Sequence, residues 1–322
     1  MKICVYGAGA VGGHLAVRLA RAGHEVSVVA RGATLATIRA HGITVHAGTD
    51  TLHASLRASD TPAELGPQDL VVSTLKACAL PALAQGIAPL LKADTSVVFA
   101  QNGIPWWYAI GLNAPPAPLP DLSRLDPGGA LARVVPPEAI FAGIINSANT
   151  ARGPGVIDNN SPDRNRLTLA RPDGAATERL AELRAVLIGA GFESPPVDDV
   201  RQEIWQKILS NLVTGMTVLV DVPTSDMLAD PALRGTAERL VAETVAVAAA
   251  HGIRLSPALP KVPAGKKSSL LQDYEQGRPM EVDAQYLAPL AFAHAAGIAA
   301  PTLEAVAGLV AFRARARGLY PS

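Results

Sequence analysis

Residues 2–31 constrain this chain most: KICVYGAGAVGGHLAVRLARAGHEVSVVAR joins an apolar strand, a glycine-rich turn, a helix and a second strand. The run Ile3-Cys4-Val5-Tyr6 lacks the alternation of a half-exposed strand and fits the centre of a parallel sheet covered on both faces. Gly7, Gly9 and Gly12 follow as G-x-G-x-x-G. The first allows a tight turn, the second lets backbone approach a pyrophosphate, and the third lets the helix pack closely on the strand. A helix N-terminus offers unpaired N–H groups to phosphate, so Gly7, Gly9, Ala10, Val11 and Gly12 are candidate cofactor-binding residues. The alternative is an α/β domain whose glycine turn binds nothing. The strand before, the helix after and the strand beyond favour dinucleotide binding.

The second strand ends in Ala30-Arg31-Gly32, where an NAD-binding unit places Asp or Glu for the ribose 2′-hydroxyl. Arg31 stands near the expected spacing of about 20 residues beyond the glycines. Its guanidinium suits a 2′-phosphate, which favours NADPH over NADH. The plain reading of Arg31 is a solvated arginine at a strand end.

Composition narrows the function classes. Lys and Arg number 28 and Asp and Glu 28, without a basic cluster, so nucleic acid is not an expected partner. No apolar stretch has the length of a membrane span and no signal peptide is read at the N-terminus, so a cytoplasmic protein is expected. Cys4 and Cys78 sit in apolar segments, where burial is expected rather than a disulfide. The seven histidines are scattered without ligand spacing, and no metal is expected.

The βα rhythm continues with buried-type strands over 69–75 and 95–100 and a helix over 79–91. Lys76 and Gln101-Asn102-Gly103 follow the two strands, at the sheet edge where an open α/β fold binds ligands. Residues 113–137 are rich in Pro and Gly and read as an inserted surface loop. Short strands over 141–147, 155–159 and 166–170 are expected to extend the sheet, and a helix covers 177–190. From about Asp199 the apolar spacing becomes helical, over 200–218, 231–251, 282–296 and 302–317. The fold class is therefore α/β: a doubly wound Rossmann-type sheet over 1–198, then an all-helical domain over 199–322. The apolar helix faces are compatible with a homodimer.

A nicotinamide supplies or takes hydride and leaves a proton to be managed by the protein. Glu203, Lys207 and Asn211 share one helix face, four residues apart, and could present an ammonium and a carboxamide to a small anion. Taken alone, Lys207 reads more readily as a solvated rim charge. Ser269 could bind a carboxylate, and Glu281 opens a helix, where it serves either chemistry or the helix dipole.

Together, GAGAVG, Arg31, Thr74-Leu75-Lys76-Ala77, Gln101-Asn102-Gly103, Trp205-Gln-Lys207-Ile-x-x-Asn211 and Ser268-Ser-Leu-Leu-Gln-Asp273 with Met280-Glu-Val-Asp283 resemble the ketopantoate reductases (2-dehydropantoate 2-reductases) over nearly the whole chain. The resemblance implies NADPH-dependent reduction of a small 2-keto acid, with the site between a Rossmann domain and a helical domain. It implies that Arg31 holds the 2′-phosphate, that Lys76 and Asn102 reach the nicotinamide ribose and the reacting end, and that Lys207 is the general acid. Asn211 and Ser269 would bind substrate, and Glu281 would position substrate hydroxyl and cofactor. Where many members carry a second asparagine one turn beyond the first, this chain has Gly215, so a wider or reshaped pocket is expected. The aromatics Trp106-Trp107-Tyr108 lie near the expected cleft, as core or as substrate contacts. The rivals are a member acting on another carbonyl compound and a non-catalytic NADP-binding sensor.

Overall fold

A computed structural model of the chain describes residues 1–321. It divides into two compact units: Met1–Gln101 with Asp126–Val200, and Asn102–Leu125 with Arg201–Ser322. The chain passes from the first unit to the second at residues 200–201. Residues 102–125, however, group with the helices rather than with the chain around them.

The strands are β1 (Lys2–Tyr6), β2 (Glu25–Val29), β3 (Ile43–Ala47), β4 (Asp50–Ala54), β5 (Arg57–Ser59), β6 (Leu70–Ser73), β7 (Ser96–Ala100), β8 (Ile140–Asn146), β9 (Asn149–Gly153), β10 (Val156–Asn159) and β11 (Arg166–Ala170). Among the described residues they form a seven-stranded sheet, ordered β11-β8-β7-β6-β1-β2-β5, and a four-stranded sheet, ordered β4-β3-β10-β9. The larger sheet is parallel from β8 to β5, and only β11 runs antiparallel. Its middle strands are buried along their length, as their unbroken apolar sequences require. Ile3, Val5, Leu15, Leu19, Val28, Val72 and Val98 share one core, each contributing roughly 1.5–3 kcal/mol on full burial.

Several local expectations are corrected. Residues 156–159 do not extend the main sheet but pair with β3 in the smaller one. That sheet lies on the helix Ala10–Arg21: a Cβ at Gly13 would stand 2.4 Å from Ile157 Cδ1, so this second glycine makes room for it. The region 113–137 is not wholly loop, since Ala130–Val134 is a helix with Leu131 buried. Cys4 is buried, and burial pushes its thiol up to about 12. Cys78, in the 3₁₀ turn Ala77–Ala79 at the start of the following helix, is exposed rather than buried as expected.

The second unit has no strand among its described residues. Its helices include Val200–Gly215, Pro231–Ala250, Ser269–Glu275, Ala288–Ala295 and Pro301–Ala316. Residues 102–125 are tied to them by Arg201, whose guanidinium donates to the carbonyls of Tyr108 at 2.8 Å and Ile110 at 2.6 Å. Trp205 Nε1 donates to the Tyr108 hydroxyl at 2.9 Å, and both rings meet Phe292 edge-on. Trp106, Trp107 and Tyr108 are buried, so these aromatics are core. No described helix is long and apolar enough to cross a membrane.

Candidate functional site

The first unit supplies a phosphate cradle. Gly7 has φ +107°, which only glycine adopts readily, and its N–H donates to Val29 O at 3.0 Å. Thr74 Oγ1 donates to Gly7 O at 2.6 Å and clamps the turn to the end of β6. A Cβ at Gly12 would lie 1.9 Å from Gly7 O, so the helix Ala10–Arg21 can approach this closely only with glycine there. At Gly9 a Cβ would meet nothing within 4 Å, so that face of the turn is open. Gly9 caps the helix without a side-chain hydrogen bond, and no acidic residue stands in the first turn. The amide groups at Ala10, Val11 and Gly12 thus face an end of the helix that favours an anion, and these residues fit a dinucleotide pyrophosphate.

Arg31 is exposed at the start of the helix Gly32–His41. Burial pushes the Tyr6 phenol up, and the Arg31 guanidinium beside it opposes that shift. Lys76 is half-buried just before the 3₁₀ turn that follows β6. At the carboxyl ends of β6 and β7, Ser73 Oγ and both amide atoms of Gln101 are buried with no hydrogen-bond partner. Buried polar atoms rarely stay unpaired, so these unmatched groups on the ligand-binding edge mark where a polar ligand fits. Ser73 was not singled out from sequence, because a serine closing a strand carries no motif.

The second unit supplies acid–base groups. Lys207 lies mid-helix in Val200–Gly215, on the same face as Asn211 and Gly215. Burial lowers its ammonium from the ordinary 10.5 to about 8, while the Glu281 carboxylate acts in the raising direction. Glu281 is 6% exposed. Asn211 Nδ2 is buried and has no hydrogen-bond partner. Asn102 begins a turn docked on the segment after Glu281: Ile104 N donates to Ala284 O at 2.8 Å, and a Cβ at Gly103 would lie 2.4 Å from that oxygen. The unit thus joins Asn102 to the Glu281 segment, and Glu281 to Lys207.

Of the two serines, Ser268 caps the helix Ser269–Glu275, accepting from Leu271 N at 3.1 Å, and meets Thr217 Oγ1 at 2.8 Å. Ser269 is exposed, one residue further along. Gly215 does not leave a void. The Tyr286 hydroxyl would stand 2.1 Å from a Cβ at Gly215, and it donates to Leu212 O at 3.1 Å. A buried phenol occupies the space at this position, which an isolated sequence position could not reveal.

Taken as chemistry, the second unit holds an ammonium near neutral pKa, a buried carboxylate acting on it and an unmatched amide donor. That set can bind an oxygen that gains negative charge and protonate it.

Residues 3–107 match the family described as ketopantoate reductase PanE/ApbA, and residues 199–314 match its C-terminal domain. A 2-dehydropantoate 2-reductase of Mesorhizobium japonicum is 38% identical over 329 residues, covering 99% of this chain and 100% of that protein. Among solved structures, a candidate ketopantoate reductase of Ralstonia solanacearum MolK2 superposes with TM-score 0.87 at 32% identity, over 99% of both chains. D-mandelate dehydrogenase, solved with NADH and anilino(oxo)acetate, shares the fold with TM-score 0.83 at 22% identity, over 99% of this chain and 100% of that one.

Proposed function

The chain belongs to the ketopantoate reductase family, a family of nicotinamide-dependent oxidoreductases, and from that premise we propose that it reduces 2-dehydropantoate to pantoate with NADPH. The observation that carries this reading is the Lys207 ammonium, brought to about 8 by burial. An acid with that pKa is still mostly protonated at neutral pH and gives up its proton readily.

When bound, the reduced nicotinamide supplies hydride to the keto carbon. As charge gathers on the carbonyl oxygen, Lys207 Nζ stabilises it and then transfers a proton to it. Asn211 Nδ2, unmatched in the protein itself, donates to a substrate oxygen. The Ser269 hydroxyl takes the substrate carboxylate, and Glu281 supports the ammonium form of Lys207 while positioning the substrate hydroxyl and the cofactor. On the cofactor side the amides at Ala10, Val11 and Gly12 hold the pyrophosphate, with room for it over Gly9. Arg31 grips the 2′-phosphate, and Lys76 and Asn102 reach the nicotinamide ribose. The reaction draws on the cytoplasmic NADPH pool, and the enzyme acts as a homodimer without metal or nucleic acid.

A second reading, reduction of a different 2-keto acid, is favoured by the phenol of Tyr286 filling the space over Gly215. Fold alone does not choose between the two, since the same fold serves D-mandelate dehydrogenase. The test is NADPH oxidation with 2-dehydropantoate beside a panel of 2-keto acids, with NADH as cofactor control. Turnover of 2-dehydropantoate above the panel, and preference for NADPH, is expected. Turnover confined to another acid overturns the substrate assignment, and equal use of NADH overturns the role of Arg31.

A further inference from the structure

We infer that Gln285 is a positioning residue of this site: its side-chain amide holds the Glu281 carboxylate in the place and the charge state in which it serves Lys207. The inference rests on the roles of Lys207 and Glu281 proposed above and names a residue that supports them.

Gln285 is 3% exposed, and Gln285 Nε2 donates to Glu281 Oε2 at 3.2 Å. A second link, from Gln285 N to Glu281 O at 3.1 Å, fixes the two residues on one side of the same turn. Their neighbours Met280, Val282, Ala284 and Tyr286 are all buried. An amide among them is costly unless it is bonded, and an apolar side chain of similar size would fill the place at less cost. The turn itself is unusual: Asp283–Leu287 is a π-helical stretch. Such one-residue insertions shift the phase of the following side chains and recur at functional sites. Here Tyr286, the next residue, packs over Gly215, while Gln285 stays with Glu281.

The neighbouring carboxylate is differently engaged. Asp283 accepts from the Tyr320 hydroxyl at 2.7 Å and meets Arg124 Nη1 at 3.5 Å. Gln285 therefore serves Glu281 and not the acid two residues on. Donation from a neutral amide favours the ionised form of a buried carboxylate and fixes its orientation. An ionised Glu281 in turn favours the ammonium form of Lys207. The order of dependence is amide, carboxylate, ammonium.

Gln285→Met keeps the volume and removes the donor, and Gln285→Leu is the second variant if the first does not fold. Each is compared with the parent and with Glu281→Gln for turnover against pH, cofactor affinity by nicotinamide fluorescence, and melting temperature. Loss of a hydrogen bond to a charged group is expected to lower turnover about tenfold. The alkaline limb should move to lower pH, with cofactor affinity little changed. In the Glu281→Gln background the Gln285 substitution should add no further loss, because the carboxylate it serves is gone. A purely structural role would leave the pH limb in place and would multiply with the Glu281 loss. Wild-type turnover and pH limb in the Gln285 variants, with loss in Lys207→Ala, overturns the positioning role alone. Wild-type turnover in Lys207→Ala overturns the proposed acid and this role with it.

Discussion

Lys207 shows how one side chain gets its chemistry from residues distant in sequence. On an exposed helix its ammonium would stay near 10.5, and burial brings it to about 8. The protonated form is the donor, so reduction should hold below that value and decline as the pH rises through about 8, which a pH profile of kcat for keto-acid reduction checks. Lys207→Ala removes the donor and should lower kcat by about 10²–10⁴-fold while cofactor affinity stays nearly constant. Cofactor titration beside steady-state rates separates the two, and unchanged turnover would remove Lys207 from the mechanism. The helical spacing of Lys207 and Asn211 is visible in sequence because it is local. The partners that change its properties are not, since Glu281 comes far later in the chain. Gln285 and Tyr286 escape the sequence reading for a further reason: a π turn breaks the helical period used to assign faces.

At the scale of elements, the strand–turn–helix unit is the best specified part of the chain. The clamp at its turn depends on Gly12, whose Cβ would collide with Gly7 O at 1.9 Å and with Thr74 Oγ1 at 2.4 Å. The nearer contact is rigid backbone. Gly12→Ala should therefore cost about 1–3 kcal/mol and weaken cofactor binding, measured as a lower melting temperature and a raised nucleotide Kd. Normal binding by this variant would mean that the turn can open without loss. The strands of the smaller sheet were mostly missed. β4 and β9 are five residues each, without a fully buried residue and largely polar, so their apolar pattern is thin. β4 pairs with β3 and β9 with β10, and the pairing that joins distant segments is that of β10 with β3.

For the whole molecule, chain order and unit membership diverge. The first unit takes β8 and β11 from beyond residue 126, and the smaller sheet joins β3 and β4 to β9 and β10. A fragment of residues 1–101 would lack the outer strands of one sheet and half of the other. It should show no cooperative melting transition by circular dichroism, and a sharp transition would mean that β1, β2, β5, β6 and β7 are sufficient by themselves. Sequence alone determined the glycine turn and its strands, the arginine beyond them, the helical period of the second half and the order of the family's motifs. These depend on neighbours within a few residues, where backbone geometry and side-chain spacing act directly. Only the tertiary structure decided that 102–125 joins the helices, that Lys207 is desolvated, that Gln285 holds Glu281 and that Tyr286 fills the space above Gly215. These follow from burial, from pairing between residues far apart in the chain and, at Gln285, from a π turn that breaks the helical period, and desolvation is a property of the surroundings that no local pattern encodes.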